Sequence, residues 1–434
     1  MPLARRTEVV IIGGGFGGLY AALSLKRAAV NLTLIDRRNI HLFQPLLYQV
    51  ATSGLSPANI SSPLRAILRK QANVRVLLAE AVDIDAENRK VVLSDGELHY
   101  DYLVVAAGSE NNFFGHPEWE ALAPGLKSIE DATEMRRRIL LAFEAAERQP
   151  DPEERERLLT FAIIGGGATG VELAGALSEM AHRSLARDFR AIRPDTAKIY
   201  LVEGGSRVLA TYPEKLSTRA KKDLERLHVT VLTEHLVTNI TANGVELKSK
   251  DNETRRILCR TILWAAGVKT SPLAGVVARI SLQTPEKDGR VAVQKDLRLP
   301  GQDNIFVIGD MASFMTDTGE PLPAMAPVAM QQGRYVATRI LDLIEGRQSK
   351  PFRYHNRGAM ATIGRAAAVA DLHYVYLTGP LAWLVWLFVH LLYLVQFENR
   401  VLVLVQWAWH YFTFNEASRL IVGKDVLPLL KKRG

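Results

Sequence analysis

One arrangement occurs twice in these 434 residues and limits what the chain can become: a short apolar strand, a glycine turn, a helix, and a second strand closed by an acid. The first copy reads as a strand Glu8 to Ile12, glycines between Gly13 and Gly18, a helical stretch from Leu19 to about Ala29, and a strand Leu32 to Ile35 ending at Asp36. The second reads as a strand Phe161 to Ile164, glycines between Gly165 and Gly170, a helix from Val171 to about Phe189, and a strand Lys198 to Val202 ending at Glu203. In each Gly-x-Gly-x-x-Gly, the first glycine (Gly13, Gly165) allows the tight turn and the second (Gly15, Gly167) lets backbone approach a pyrophosphate. The third (Gly18, Gly170) lets helix and strand pack closely. The helix amino terminus then faces the phosphates. The predicted fold class is α/β, with two Rossmann-like dinucleotide-binding domains and a carboxyl-terminal membrane-associating helical region.

Three further strand ends support this reading. Val104 to Gly108 and Trp264 to Gly267 each end in Ala-Ala-Gly, and Ile305 to Asp310 ends in Gly-Asp. Such ends lie where cofactors sit in open α/β sheets. The Gly309-Asp310 end returns to close the first domain, which argues for FAD on the first turn, with Asp36 on ribose hydroxyls and Asp310 on the ribityl or phosphate region. Glu203 holds the ribose position of the second unit, where an anion repels a 2′-phosphate and favours NADH over NADPH, while nearby Arg207 weakens that preference. The expected division is 1–115 and 269–350 for FAD, 116–268 for NADH, and 351–434 for a membrane-anchoring region. The acidic stretch Gln149 to Arg157 reads as a solvated linker or a helix start.

Composition excludes several classes. At 48% hydrophobic and 23% charged residues the chain is globular, and its net charge of +8 is spread along the sequence, so no nucleic acid is expected. The single cysteine, Cys259, cannot form an internal dithiol, and in the run Arg256 to Leu263 it reads as a buried small hydrophobe. The ten histidines form no ligand set, so no metal is expected. The run Val9 to Ile12 after Arg5 and Arg6 is too short for a signal-peptide core.

The carboxyl end differs in character. Leu381 to Phe397 is apolar apart from His390 and Gln396, and Val401 to Phe414 follows a polar Glu398-Asn399-Arg400 break. As helices these reach about 25 Å and about 21 Å, short of a hydrocarbon core of about 30 Å. Trp383, Trp386, Trp407 and Trp409 suit a bilayer interface, and Lys424, Lys431, Lys432 and Arg433 suit anionic headgroups. The expected partner of residues 381–434 is a lipid surface. A homodimer contact is the other use such a surface has.

The motifs His41-Leu-Phe-Gln-Pro-Leu-Leu-Tyr-Gln49, Gly165 to Glu172, Trp264-Ala-Ala-Gly-Val268, Gly309-Asp310, Met360-Ala-Thr-Ile-Gly-Arg365 and the aromatic carboxyl end together resemble the type II NADH:quinone oxidoreductases, essentially from end to end. The resemblance implies a peripheral flavoenzyme on the cytoplasmic face of a cell membrane. It would transfer hydride from NADH to FAD and two electrons to a membrane quinone, without pumping protons. Carried onto this chain, FAD falls to Gly13, Gly15, Phe16, Gly17, Gly18, Asp36, Arg37, Gln49, Val82, Ala107, Gly108, Gly309, Asp310, Ala326 and Pro327. NADH falls to Gly165, Gly167, Ala168, Thr169, Gly170, Glu172, Glu203, Ala266 and Gly267. Quinone falls to Gln44, Tyr48, Met330 and Gln331, and Glu172 is the catalytic candidate through proton coupling.

Each of these has a blander counterpart. Glu172 suits the first helical turn as a macrodipole partner. Gln44 and Tyr48 could satisfy backbone groups, and Met325 and Met330 could be gap fillers. One departure stands out: the family's quinone-site signature has glutamine after the alanine matching Ala326, whereas this chain has Pro327 and keeps Ala329 and Gln331. The alternative functions are a membrane-docked redox sensor, a reductase with a non-quinone acceptor, and a sulfide:quinone oxidoreductase, the last disfavoured by the lone cysteine.

Overall fold

The computed structural model describes residues 5–413 and 418–422, so Phe414 and the basic residues Lys424, Lys431, Lys432 and Arg433 lie outside the described residues. The chain divides into two units: Met1–Leu42, Ser61–Glu110 and Val268–Asn356 form the first, and Phe43–Ile60, Asn111–Gly267 and Arg357–Gly434 the second.

The first unit is built on a five-stranded sheet in the order Ile305–Val307, Tyr102–Val105, Thr7–Ile12, Val30–Asp36, Val74–Leu78, with every pairing parallel. Its strands are almost wholly apolar because both faces are covered. One face packs on a core that includes Val10, Ile12, Ile35, Leu103, Val105 and Val307, with the helix Leu273–Ile280. The helices Phe16–Ser24 and Ala326–Ile344 pack against each other. The strand bearing Gly309-Asp310 does close this sheet, beside the strand that ends at Ala107-Gly108. The first helix starts at Phe16 and ends at Ser24, earlier at both ends than propensity suggests. Glycines are poor helix formers, but Gly17 and Gly18 sit in its first turn because tertiary packing overrides that preference.

The second unit repeats the design with a four-stranded parallel sheet, Val229–Leu232, Lys198–Val202, Thr160–Ile164, Thr261–Trp264. An antiparallel meander, His235–Thr241, Gly244–Ser249 and Thr254–Leu258, encloses a core in which Cys259 is fully buried. Burial pushes that thiol up to about 12, so it is inert. The helix after the second glycine turn runs Ala168–Glu179 and gives way to a π turn, Met180–Ser184, rather than continuing to Phe189. The stretch read as a linker or a helix start contains a helix, Pro152–Leu158, started by the Asp151 carboxylate accepting the Glu153 N–H.

The same unit ends in a meander, Ala359–Gly364, Ala367–Asp371 and Tyr376–Thr378, followed by the helices Gly379–Tyr393 and Phe397–Thr413. The expected polar break is displaced. Glu398, Asn399 and Arg400 lie in the first turn of the second helix, and the chain turns at Leu394, whose carbonyl accepts from Arg400 Nε at 2.7 Å. Ala382 and Trp386 face inward while Leu381, Leu384, Phe388 and Leu392 form an exposed stripe at helical spacing. Trp386 and Trp407 are buried against each other with ring centroids 5.2 Å apart, so of the four carboxyl-terminal tryptophans only Trp409 is largely exposed. Among the described residues, no helix is long and apolar enough to cross a membrane.

Candidate functional site: two latched glycine turns and a buried carboxyl cavity

Both glycine turns are held by the acid that ends the neighbouring strand. In the first unit, Asp36 Oδ2 accepts the Gly14 N–H at 2.6 Å and Oδ1 accepts the Arg38 N–H at 2.7 Å. In the second, Glu203 Oε2 accepts the Gly166 N–H and Oε1 the Gly205 N–H, both at 2.6 Å. Burial pushes the Asp36 carboxyl above its usual value against the pull of these N–H groups. Gly13 and Gly165 have φ of +102° and +109°, and a Cβ on either would strike the carbonyl end of the neighbouring Ala-Ala-Gly segment. Only glycine fits there.

Whether a dinucleotide fits is tested by the middle glycines. Gly15 and Gly167 are exposed at the starts of the helices, and a Cβ on either would meet nothing within 4 Å. Backbone N–H groups at the helix start with open space in front of them suit a pyrophosphate. Phe16 opens the first helix and Gly17 and Gly18 follow it, while Ala168 and Thr169 open the second and Gly170 follows. Ala266 and Gly267 follow the strand Thr261–Trp264, with the Phe114 ring lying over Gly267. The Arg207 guanidinium donates to the Ala210 carbonyl at 2.9 Å.

In the first unit, Ser109 Oγ donates to Asp310 Oδ2 at 2.5 Å, which ties the residue after Ala107-Gly108 to the Gly309-Asp310 turn. Gln332, which sequence reasoning passed over, accepts the Gly309 N–H at 2.7 Å and is fully buried. Gln331 is turned the other way: its amide donates to the His355 carbonyl and accepts the His355 N–H, at 2.9 and 3.0 Å. Met330 is buried, Arg37 pairs with Glu110 at 3.3 Å, and Val82 is exposed on an outer strand. Ala326 and Pro327 open the helix Ala326–Ile344. A proline there loses no hydrogen bond, since the first helical N–H groups have no partner within the helix.

The second unit holds a cavity of about 90 Å³ lined by residues from five separate stretches, among them Tyr48, Gln49, Glu172, Glu179, Arg365 and Trp386. Glu172 is the fifth residue of its helix, which sets aside the blander reading of a first-turn dipole partner. It is buried, and its Oε1 accepts the Thr362 N–H at 3.3 Å. Burial raises its pKa to about 8, opposed by the Thr362 N–H and by the nearby Trp386 indole. That indole lies outside hydrogen-bond geometry, and its buried Nε1 has no partner.

Tyr48 is buried, its phenol pushed well above the usual range by burial and by the adjacent Glu172. Gln49 uses both ends of its amide here: Nε2 donates to Tyr48 Oη at 2.9 Å, and Oε1 accepts from Trp407 Nε1 at 2.7 Å. Gln44, in contrast, is exposed, with only a 3.5 Å contact to the Lys127 carbonyl, so the apolar setting read for it is absent. Glu179, unremarked in the sequence, accepts the Arg365 N–H at 2.6 Å. Its signal was present as Glu172, Gly175 and Glu179 on one helical face.

Two latched dinucleotide turns, each at the end of a parallel sheet, with no dithiol, define a flavin-linked pyridine nucleotide oxidoreductase. The pyridine nucleotide-disulphide oxidoreductase family matches residues 7–333, and the NDH2 C-terminal domain matches residues 356–413. The chain belongs to the type II NADH:quinone oxidoreductases, and is an enzyme of that class. It is 46% identical to the type II NADH:quinone oxidoreductase NdhA of Mycobacterium tuberculosis, over 99% of this chain and 93% of that one. It is 44% identical to Ndh of the same organism, over 97% and 91%. In fold it is similar to NDH2 from Plasmodium falciparum, with a TM-score of 0.89 at 21% identity over 96% of this chain and 100% of that one. The fold is also similar to that of the sulfide:quinone oxidoreductase of Aquifex aeolicus, with a TM-score of 0.70 at 19% identity, covering 95% and 92%. Membership implies a flavin and a pyridine nucleotide as cofactors.

Proposed function

We propose that the protein oxidises NADH on its second glycine turn and reduces a membrane quinone, with FAD on its first turn. The observation that carries this reading is the paired latch, Asp36 on Gly14 and Glu203 on Gly166, in a chain whose lone thiol is buried and inert. Two dinucleotides have cradles, and electrons cannot be relayed through a cysteine pair. When bound, FAD supplies the two-electron chemistry between nicotinamide and quinone.

The residues of the chain bind, orient and protonate. Gly15 and Gly167 admit the pyrophosphates, and Asp36 and Glu203 face the riboses, the second excluding a 2′-phosphate by charge. Gly309 and Asp310, held by Gln332 and Ser109, complete the FAD side. Glu172, neutral near pH 7, holds the proton that quinone reduction consumes.

Quinone access is by way of lipid. The exposed stripe Leu381, Leu384, Phe388 and Leu392, with Val405, Trp409 and Phe412 on the following helix, docks peripherally on the cytoplasmic face. The test is an anaerobic titration of the yellow holoenzyme with NADH, with NADPH in parallel, and then with a short-chain quinone. NADH bleaches the flavin and the quinone restores it. Bleaching by NADPH alone would overturn the role of Glu203, and failure of any quinone to restore the colour would favour a sensor.

A further inference from the structure

Glu172 and Glu179 are seven residues apart on one helix, which returns the side chain to the same face about 10.5 Å along the axis. Both carboxyls line the same cavity, together with Tyr48, Arg365, Trp386 and His410. Each spends one acceptor site on a backbone N–H of a single segment, Thr362 for Glu172 and Arg365 for Glu179. The Trp386 indole N–H is buried in the same lining with no partner in the fold. A buried N–H requires an acceptor, and at this indole the acceptors at hand are the Glu172 carboxyl and a water in the cavity.

The dimensions agree with water. About 10–15 Å³ of cavity volume is enough for one water, so the cavity of about 90 Å³ has room for at least three. Three waters make four hydrogen-bond links of about 2.8 Å, a reach of about 11 Å, comparable with the helical rise between the two residues. Glu172 is buried, whereas Glu179 keeps a small part of its surface open to solvent, although burial still pushes its carboxyl up.

The geometry points to a file of buried waters joining Glu179 to Glu172, with Glu179 as the residue through which solvent protons enter and Glu172 as the one that delivers them to the quinone. This rests on the reading of Glu172 given above. The balance is simple. NADH gives a hydride, the quinone takes two electrons and two protons, and so one proton per turnover comes from solvent. An O–H bond forms at the quinone oxygen as the Glu172 O–H breaks. A water reprotonates Glu172, Glu179 reprotonates the file, and solvent reprotonates Glu179, with no redox change in the protein.

The other titratable groups in and around the cavity include two phenols, an arginine and a histidine. Burial and Glu172 hold the Tyr48 and Tyr212 phenols protonated. The Arg365 guanidinium is seated 4.0 Å over the Tyr411 ring and, with Arg183, lowers the Glu179 carboxyl. His410 completes the titratable lining.

The test uses NADH-reduced holoenzyme mixed with a water-soluble quinone in a stopped-flow instrument, with flavin content and circular dichroism as checks on loading and folding. In Glu179→Gln the quinone-reduction phase slows about tenfold or more, and a small diffusible acid such as imidazolium restores it. Glu179→Ala, which opens the entry, shows the same loss with stronger rescue. An unchanged rate, or a loss that no buffer repairs, overturns the relay. Glu172→Gln separates the two ideas: if it slows the quinone phase while Glu179→Gln does not, the relay fails and the role of Glu172 stands. If neither slows it, both fail.

Discussion

Gly175 lies so close to the carbonyl oxygen of Ile363 that a Cβ on residue 175 would overlap it. This approach lays the helix Ala168–Glu179 directly on the strand Ala359–Gly364. It thereby brings Glu172 to Thr362 and Glu179 to Arg365 on either side of the contact.

Gly175→Ala should therefore damage stability and chemistry together. Overpacking of this kind costs about 1–3 kcal/mol. The expected result is a lower thermal midpoint, measured on holoenzyme, and slower quinone reduction as the two carboxyls lose their backbone partners. A variant as stable and active as the parent would mean that helix and strand can separate freely.

The buried Glu172 makes stability depend on pH. Its pKa rises from 4.5 to about 8 on folding, so below pH 4.5 it is protonated in both states and its contribution is fully present. Between 4.5 and about 8 the unfolded chain loses the proton and the folded one keeps it, so stability falls by about 1.4 kcal/mol per pH unit. His390, stacked on Trp386 and lowered by burial from 6.5 to about 4, acts in the opposite sense, costing stability as pH falls through that window. Urea midpoints across pH should show the fall toward pH 8 in the parent and a reduced slope in Glu172→Gln. Quinone reduction should decline above about pH 8 as Glu172 loses its proton.

Replacing Glu203 by Gln removes the charge proposed to face the nicotinamide nucleotide's adenosine ribose and weakens the latch on Gly166 and Gly205. The preference for NADH over NADPH, measured as a ratio of kcat/KM values, should shrink by about tenfold or more, the worth of one charge-assisted contact. An unchanged ratio would assign nucleotide choice to another residue.

Leu384 and Phe388 are exposed, so Leu384→Asp with Phe388→Asp should leave the unfolding midpoint nearly unchanged. Burying each side chain in an apolar phase is worth about 1.5–3 kcal/mol, so vesicle binding should fall at least tenfold in a flotation assay. A shift in sedimentation from dimer to monomer with vesicle binding intact would assign the stripe to a second copy of the chain instead.

The glycine turns, the acids that close them and the inert cysteine were legible in the linear chain because their consequences are local. A missing Cβ acts within a few residues, and an acid at a strand end acts on the adjacent turn. The strand-end position marks Asp36 and Glu203 for a ribose, and that each also holds a glycine turn is added by the fold. The same local rules misplaced the start of the first helix, the turn occupied by Glu172 and the break before Phe397, because packing outweighs propensity at each. The cavity belongs to tertiary structure alone. Tyr48, Glu172, Thr362 and Trp386 come from distant stretches of chain. No periodicity reveals that a carboxyl loses its water, or that an indole N–H loses its partner, until those stretches pack against one another.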